Sequence, residues 1–96
     1  MLNKSGIVNI IWSEIDSSTV KYMHYHNDGS KGLLGVKFKS GQSYIYNDVP
    51  MFDILSVLKA DSVGSAFSKE IKLRYPYKNV GIVNSGSPLE KIGIRL

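Results

Sequence analysis

The sequence predicts an α+β domain: a three-stranded antiparallel β-meander followed by two helices packed on one face, with extra short strands from both termini. Three observations carry that expectation. Between Thr19 and Asn47, runs with strand periodicity are separated by short segments rich in Asn, Asp, Gly and Ser. Two runs with helical spacing follow, opened by Val49-Pro50 and stopped by Tyr75-Pro76. The chain has 96 residues, the length of one domain, so residues 1–96 are read as a single unit.

Gly6 to Trp12 is rich in β-branched residues and reads as a short N-terminal strand, broken by Asp16-Ser17-Ser18. From Thr19 to Tyr25 the chain alternates. Val20, Tyr22 and His24 fall on one face, and Lys21, Met23 and Tyr25 on the other. His26 to Gly32 is a loop. Leu33 to Lys39 is the second meander strand, with Leu34, Val36 and Phe38 on one face, and Ser43 to Asn47 is the third. Pro50 suits the first position of a helix whose stripe is Met51, Ile54, Leu55 and Leu58. Ser62 is a candidate N-cap for a second helix from about Val63 to Leu73, which turns Val63, Ala66, Phe67 and Ile71 inward. The expected core gathers Leu34, Val36, Phe38, Leu55, Leu58, Phe67 and Ile71. Val80, Ile82 and Val83 form a further short strand, Ser85 to Pro88 a turn, and Leu89 to Leu96 reads equally as strand or helix.

Composition narrows the function classes. Hydrophobic residues make up 43% of the chain and charged residues 21%, which excludes disorder throughout. There are no cysteines, so disulfides, thiolate metal sites and cysteine nucleophiles are excluded together. Their absence from a small domain points to a reducing cytoplasm, that of a host if the protein is viral. No apolar run approaches the roughly 20 residues of a membrane-spanning helix, and no membrane partner is expected. The net charge of +4 leans toward an anionic partner. A core this small favours a homo-oligomer, and the apolar residues of 78–96 are expected either to add to the chain's own sheet or to meet another copy.

Ser17-Ser18, Leu34-x-Val36-x-Phe38, Gly41, Tyr44-Ile45-Tyr46, Val49-Pro50, Ala60-x-Ser62-x-Gly64, Phe67 and Ile71 occur in an order and spacing that resemble the KTSC domain. That short module stands at the C-terminus of some lysyl-tRNA synthetases and alone in small bacterial and viral proteins. The resemblance covers residues 17–77 and leaves 78–96 as a C-terminal extension. Here Ile45 stands between the tyrosines, where a polar residue is usual. The resemblance implies a fold and suggests RNA binding; it brings no catalytic residues.

The candidate ligand-binding residues are Tyr44, Tyr46, Lys37, Lys39, Lys69, Lys72 and Arg74. Tyr44 and Tyr46 share one strand face. A two-residue Ser40-Gly41 turn would pair Lys37 with Tyr44 and Gly35 with Tyr46, giving an aromatic and basic surface with an open notch at Gly35. A three-residue turn with Gly41 left-handed would pair Tyr44 with Val36 and Tyr46 with Leu34, placing the rings at the core or its rim. Lys69, Lys72, Arg74 and Lys78 make a basic cluster on and after the second helix. His24 and His26, with Asp28 nearby, are too few for a metal site, and no metal or other cofactor is expected.

These residues point to non-catalytic binding of a nucleotide-type anion and not to an enzyme. The most concrete version is a phage-type sponge that sequesters a cyclic dinucleotide immune signal, an anti-CBASS-like form of immune evasion. The alternatives are a single-stranded RNA-binding module and a small ribonuclease dependent on His24 or His26.

Overall fold

The computed structural model describes residues 7–13, 15, 17–29 and 32–94. Gly6, Asp16, Ser30, Lys31 and Leu96, which the sequence reading touches, lie outside the described residues.

Five strands form one antiparallel sheet in sequence order: β1 (Val8–Trp12), β2 (Val20–Asn27), β3 (Gly32–Phe38), β4 (Gln42–Tyr46) and β5 (Tyr77–Ile82). The predicted meander is its centre, and the sheet has five strands where the meander alone has three. Between β4 and β5 the chain makes helix α1 (Met51–Lys59) and helix α2 (Val63–Phe67), which runs into a π-helical turn, Ser68–Lys72. After β5 comes a 3-10 turn, Pro88–Ile92. Among the described residues no helix is long and apolar enough to cross a membrane.

The helices cover one face of the sheet. Met23 and Tyr25 from β2, Leu34 and Val36 from β3, and Tyr46 from β4 meet Ile54 and Val57 from α1, then Phe67 and Ile71, in one buried cluster. Val20 belongs to this cluster rather than to the face of Tyr22 and His24, because a β-bulge between Val20 and Tyr22 shifts the alternation at Lys21. Of the expected core, Leu34, Val36, Phe67 and Ile71 are buried and Phe38 and Leu58 are half-buried. Leu55 is 43% exposed. Helix α1 is rotated by about one residue, roughly 100°, from the predicted stripe, so that Asp53, Ile54 and Val57 are buried while Met51 and Leu58 pack partly buried against the core. Pro50 caps this helix in extended conformation, and Met51 is its first residue.

Two glycines fix how the meander joins the helices. Gly41 has φ +94° and closes a three-residue turn, with its N–H donating to the Phe38 carbonyl at 2.8 Å. The register that follows is Val36 opposite Tyr44 and Leu34 opposite Tyr46; the two-residue turn is not adopted. At Gly32 an added Cβ would lie 1.8 Å from the Val49 carbonyl oxygen and 2.4 Å from the Tyr25 hydroxyl. That carbonyl accepts from Tyr25 at 2.7 Å, and the Val49 N–H donates to Gly32 at 3.0 Å, so the chain leaving β4 is pinned across the start of β3.

The other face of the sheet is covered by the C-terminal segment. Leu89 is fully buried, and Leu89 and Pro88 sit over Gly35, where a Cβ would lie 3.1 and 3.2 Å from their side chains. The notch expected at Gly35 is therefore filled. A capping box shapes the 3-10 turn: Ser87 accepts from the Leu89 N–H at 3.1 Å, and Glu90 reaches back to the Ser87 N–H at 2.8 Å.

Candidate functional site: an aromatic cleft beside β4 and β5

The register of the β3–β4 hairpin decides what surrounds the two tyrosines. Tyr44 and Tyr46 point to the helix face, while Lys37, paired with Ser43, points to the opposite one. The combined surface of Tyr44, Tyr46 and Lys37 that the shorter turn would have built is absent for that reason. Lys37 is only 5% exposed and stacks over the Tyr22 ring, its Nζ 5.2 Å from the ring centroid. Burial lowers its pKa, with Lys21 adding to the effect. Lys39 is exposed in the turn, where its N–H donates to the Thr19 carbonyl at 2.8 Å.

In place of that surface stands a cluster of rings. Tyr77 lies opposite Tyr46 across the β4–β5 pair. Its centroid is 5.5 Å from Tyr44 and 5.6 Å from Tyr46. Phe38 meets Tyr44 edge-on at 5.7 Å, and Phe67 closes the base against Tyr46 at 5.3 Å. Above them opens a cleft of about 350 Å³. Phe38, Tyr44, Tyr46 and Tyr77 give it aromatic walls, Lys72 a cation, and Gln42 an amide held to Asn79 at 2.5 Å. Its outer lip is Leu73, 87% exposed, and Tyr77, 59% exposed.

Tyr46 is only 2% exposed, and burial pushes its pKa up to about 12, with Tyr77 and Tyr44 adding to the shift. The described residues include no buried side-chain polar atom without a partner. The Tyr46 hydroxyl has no hydrogen-bond partner among the described residues, and the residue lines the cleft. The hydroxyl stays a proton donor at neutral pH.

Of the predicted residues, the structure brings Tyr44, Tyr46 and Lys72 together. Lys69 lines a neighbouring cleft instead. Arg74 forms an ion pair with Glu70 at 3.2 Å and lines neither. The sequence reading missed Tyr77 and Gln42, and took Phe38 for core alone. Tyr77 was legible in principle: had the last strand been started directly after Pro76 rather than near Val80, it would have fallen beside the tyrosine pair.

The histidines occupy the other face. His24 is fully buried between β1 and the C-terminal turn, its Nδ1 2.5 Å from Ser87 Oγ and its Nε2 2.8 Å from Asn9 Oδ1. An amide oxygen only accepts, so Nε2 carries the proton and Ser87 donates to Nδ1. His26 donates to the same Asn9 oxygen at 3.0 Å. Burial lowers the His24 pKa, helped by His26 and opposed by Glu90. This Ser-His-Asn chain has the residue types of a nucleophilic relay, but Ser87 is 1% exposed and its oxygen already accepts a backbone N–H. It is a clasp between strands. Among the described residues no three His, Cys, Asp or Glu side chains gather as a metal site would require.

No curated protein matches the chain. The profile of the KTSC domain matches residues 16–75, more than half of the 96. The matched span holds the hairpin, both tyrosines and both helices, and ends just before Tyr77 and the C-terminal cover. By that match the chain belongs to the KTSC domain family.

Proposed function

We propose that this protein is a non-catalytic nucleotide-binding module whose base site is the cleft between Tyr44, Tyr46 and Tyr77. The observation that carries the reading is the pairing of exposed ring surface with an unpaired ammonium in one concavity. Tyr77 and Tyr44 offer faces and edges for stacking, worth about 1–3 kcal/mol per base. Lys72, with no carboxylate partner among the described residues, is placed to meet a phosphate as a point charge. The Tyr46 hydroxyl and the Gln42 amide supply hydrogen bonds that fix a base edge. The volume of about 350 Å³ falls at the small end of the roughly 300–1,000 Å³ of small-molecule sites. That size favours one nucleotide unit at a time over a long RNA track. Binding without turnover suits a sponge for a cyclic dinucleotide signal in a host cytoplasm. It is supported by the engagement of His24 and Ser87 in structural hydrogen bonds, away from the cleft. A homo-oligomer belongs to the same reading: β5 ends the sheet, and its Tyr77 and Ile82 are exposed beside the cleft.

Calorimetry with mononucleotides, cyclic dinucleotides and short RNAs at two salt concentrations tests it. A small nucleotide is expected to bind with weak salt dependence and to be recovered intact. Tyr77→Ala is expected to weaken it about tenfold, the equivalent of one lost stacking contact. Steep loss of RNA affinity with salt would favour the single-stranded RNA reading. No binding by any of them, or turnover of the ligand, would overturn the proposal.

A further inference from the structure

We propose that a second cleft, lined by hydroxyls around Lys69, is a phosphate-binding site distinct from the aromatic one. It lies where the segment before β2 meets α2, and its volume of about 480 Å³ exceeds that of the aromatic cleft. Two of its serines are accounted for structurally. Ser17 Oγ accepts the Thr19 and Val20 N–H groups at 3.2 and 3.1 Å, and Ser62 Oγ caps α2 through the Ser65 N–H at 3.3 Å. Gly64 lets the two segments touch, since a Cβ there would lie 2.4 Å from Ser17 Oγ.

The rest of the lining has no such task. Among the described residues the hydroxyls of Ser18, Thr19, Ser65 and Ser68 have no hydrogen-bond partner, and the Lys69 ammonium has no ion-pair partner. Among the described residues the lining contains no carboxylate. The carboxylate on the adjoining helical residue, Glu70, is engaged by Arg74 at 3.2 Å. Four hydroxyl donors and one ammonium, none with a partner among the described residues, match an acceptor-rich, tetrahedral anion. A sugar would use the hydroxyls without needing the cation; a carboxylate would use the cation with fewer of the hydroxyls.

The two clefts adjoin along one helix and one strand pair. Lys69 lines one and Lys72 the other, three residues apart. Thr19 of the hydroxyl cleft accepts from the N–H of Lys39, which stands between Phe38 and Ser40 of the aromatic cleft. A ligand with its base among the tyrosines would therefore meet Lys69 with a further phosphate. This last step rests on the nucleotide reading; the phosphate site itself does not.

Amide chemical shifts of the full chain, titrated with inorganic phosphate at constant ionic strength, test the site. Saturable shifts are expected at Thr19 and from Ser65 to Lys69, in the wild type and equally in Tyr44→Ala. Lys69→Gln is expected to weaken the binding about tenfold, as loss of one charged hydrogen bond does. The paired change Ser65→Ala and Ser68→Ala, at exposed helical positions, is expected to weaken it comparably while keeping the fold. Absence of saturable shifts in the cleft, or equal affinity in Lys69→Gln, would overturn the site. A dinucleotide carrying a terminal phosphate then separates the two proposals. If phosphate saturates the cleft and no nucleotide binds anywhere, the nucleotide reading fails and this one stands. If inorganic phosphate gives no saturable shifts in the cleft and a phosphorylated dinucleotide binds with the same affinity in Lys69→Gln, this one fails and the aromatic cleft stands.

Discussion

The two faces of the sheet differ in a way that reverses the usual expectation. One carries His24, His26, Ser87, Asn9 and Lys37, residue types that do chemistry elsewhere. The C-terminal turn presses Pro88 and Leu89 onto it, and its polar groups satisfy one another. The other carries phenyl and phenol rings, ordinary strand and core residues, yet there the chain leaves a cleft. Residue type alone does not separate the two faces. What separates them is closure: a buried polar group with all its partners inside the chain is structural, whereas an aromatic wall facing solvent has unused contact area.

The sharpest way to break that contrast is to remove the support under each face. Phe67 is 1% exposed and holds the floor of the aromatic cleft against Tyr46 and Phe38. Phe67→Ala is expected to cost about 3–5 kcal/mol in denaturant unfolding, as large core truncations do. Phe38, half-buried, is expected to cost less than that on truncation to Ala. On the other face, His24→Ala removes one buried and one part-buried hydrogen bond and leaves the buried Ser87 hydroxyl without its acceptor, for an expected loss of about 1–3 kcal/mol. Nucleotide affinity in the refolded His24→Ala protein should match that of the wild type. A lost affinity with retained stability would mean that the clasp is a binding site.

The order of strands and helices was legible because it depends on local periodicity and on turn residues. The assignment of faces was not. A single bulge at Lys21 moves Val20 to the core face, and a one-residue difference in the turn at Gly41 decides whether Lys37 or Val36 faces Tyr44. Both are choices between geometries of similar local energy, settled by what the rest of the chain can bury. The cover over Gly35 was equally hidden, because Pro88 and Leu89 lie more than 50 residues away in sequence and their role depends on where β5 delivers them. The aromatic cleft was half legible: the tyrosine pair is visible as a motif, but its third ring belongs to a strand outside the meander.

A smaller effect distinguishes the faces by pH. The His24 pKa is lowered in the folded protein, chiefly by burial, from an ordinary value of 6.5. The unfolded chain therefore binds the extra proton first, so stability rises with pH across this window. The contribution is complete above about pH 6.5, is lost as pH falls from there to the folded-state value, and is constant below it. Unfolding midpoints of the wild type and His24→Ala, measured from pH 7.5 to pH 5 (roughly the range in which histidines titrate), should converge toward acid. Parallel curves would show that His24 is not held neutral by the clasp.

The least effect is expected at Lys37, one of the candidate ligand-binding residues of the sequence. Lys37 lies along the covered face, 5% exposed, with its ammonium over Tyr22 and the sheet between it and the aromatic cleft. Lys37→Met keeps a stem of similar length and removes a charge whose ionisation burial already disfavours. Replacing a buried charge with an apolar group of like volume is often neutral or stabilising, so unfolding free energy should hold or rise. Sites without shared partners add to within about 0.5 kcal/mol, so nucleotide affinity should change by no more than about twofold. Lys72→Met, on the open face, should weaken the same ligand about tenfold through loss of a charged contact. Calorimetry on the two variants side by side reads the contrast directly. If Lys37→Met weakens binding and Lys72→Met does not, the ligand sits on the face that the C-terminal turn covers, and that turn must open to admit it.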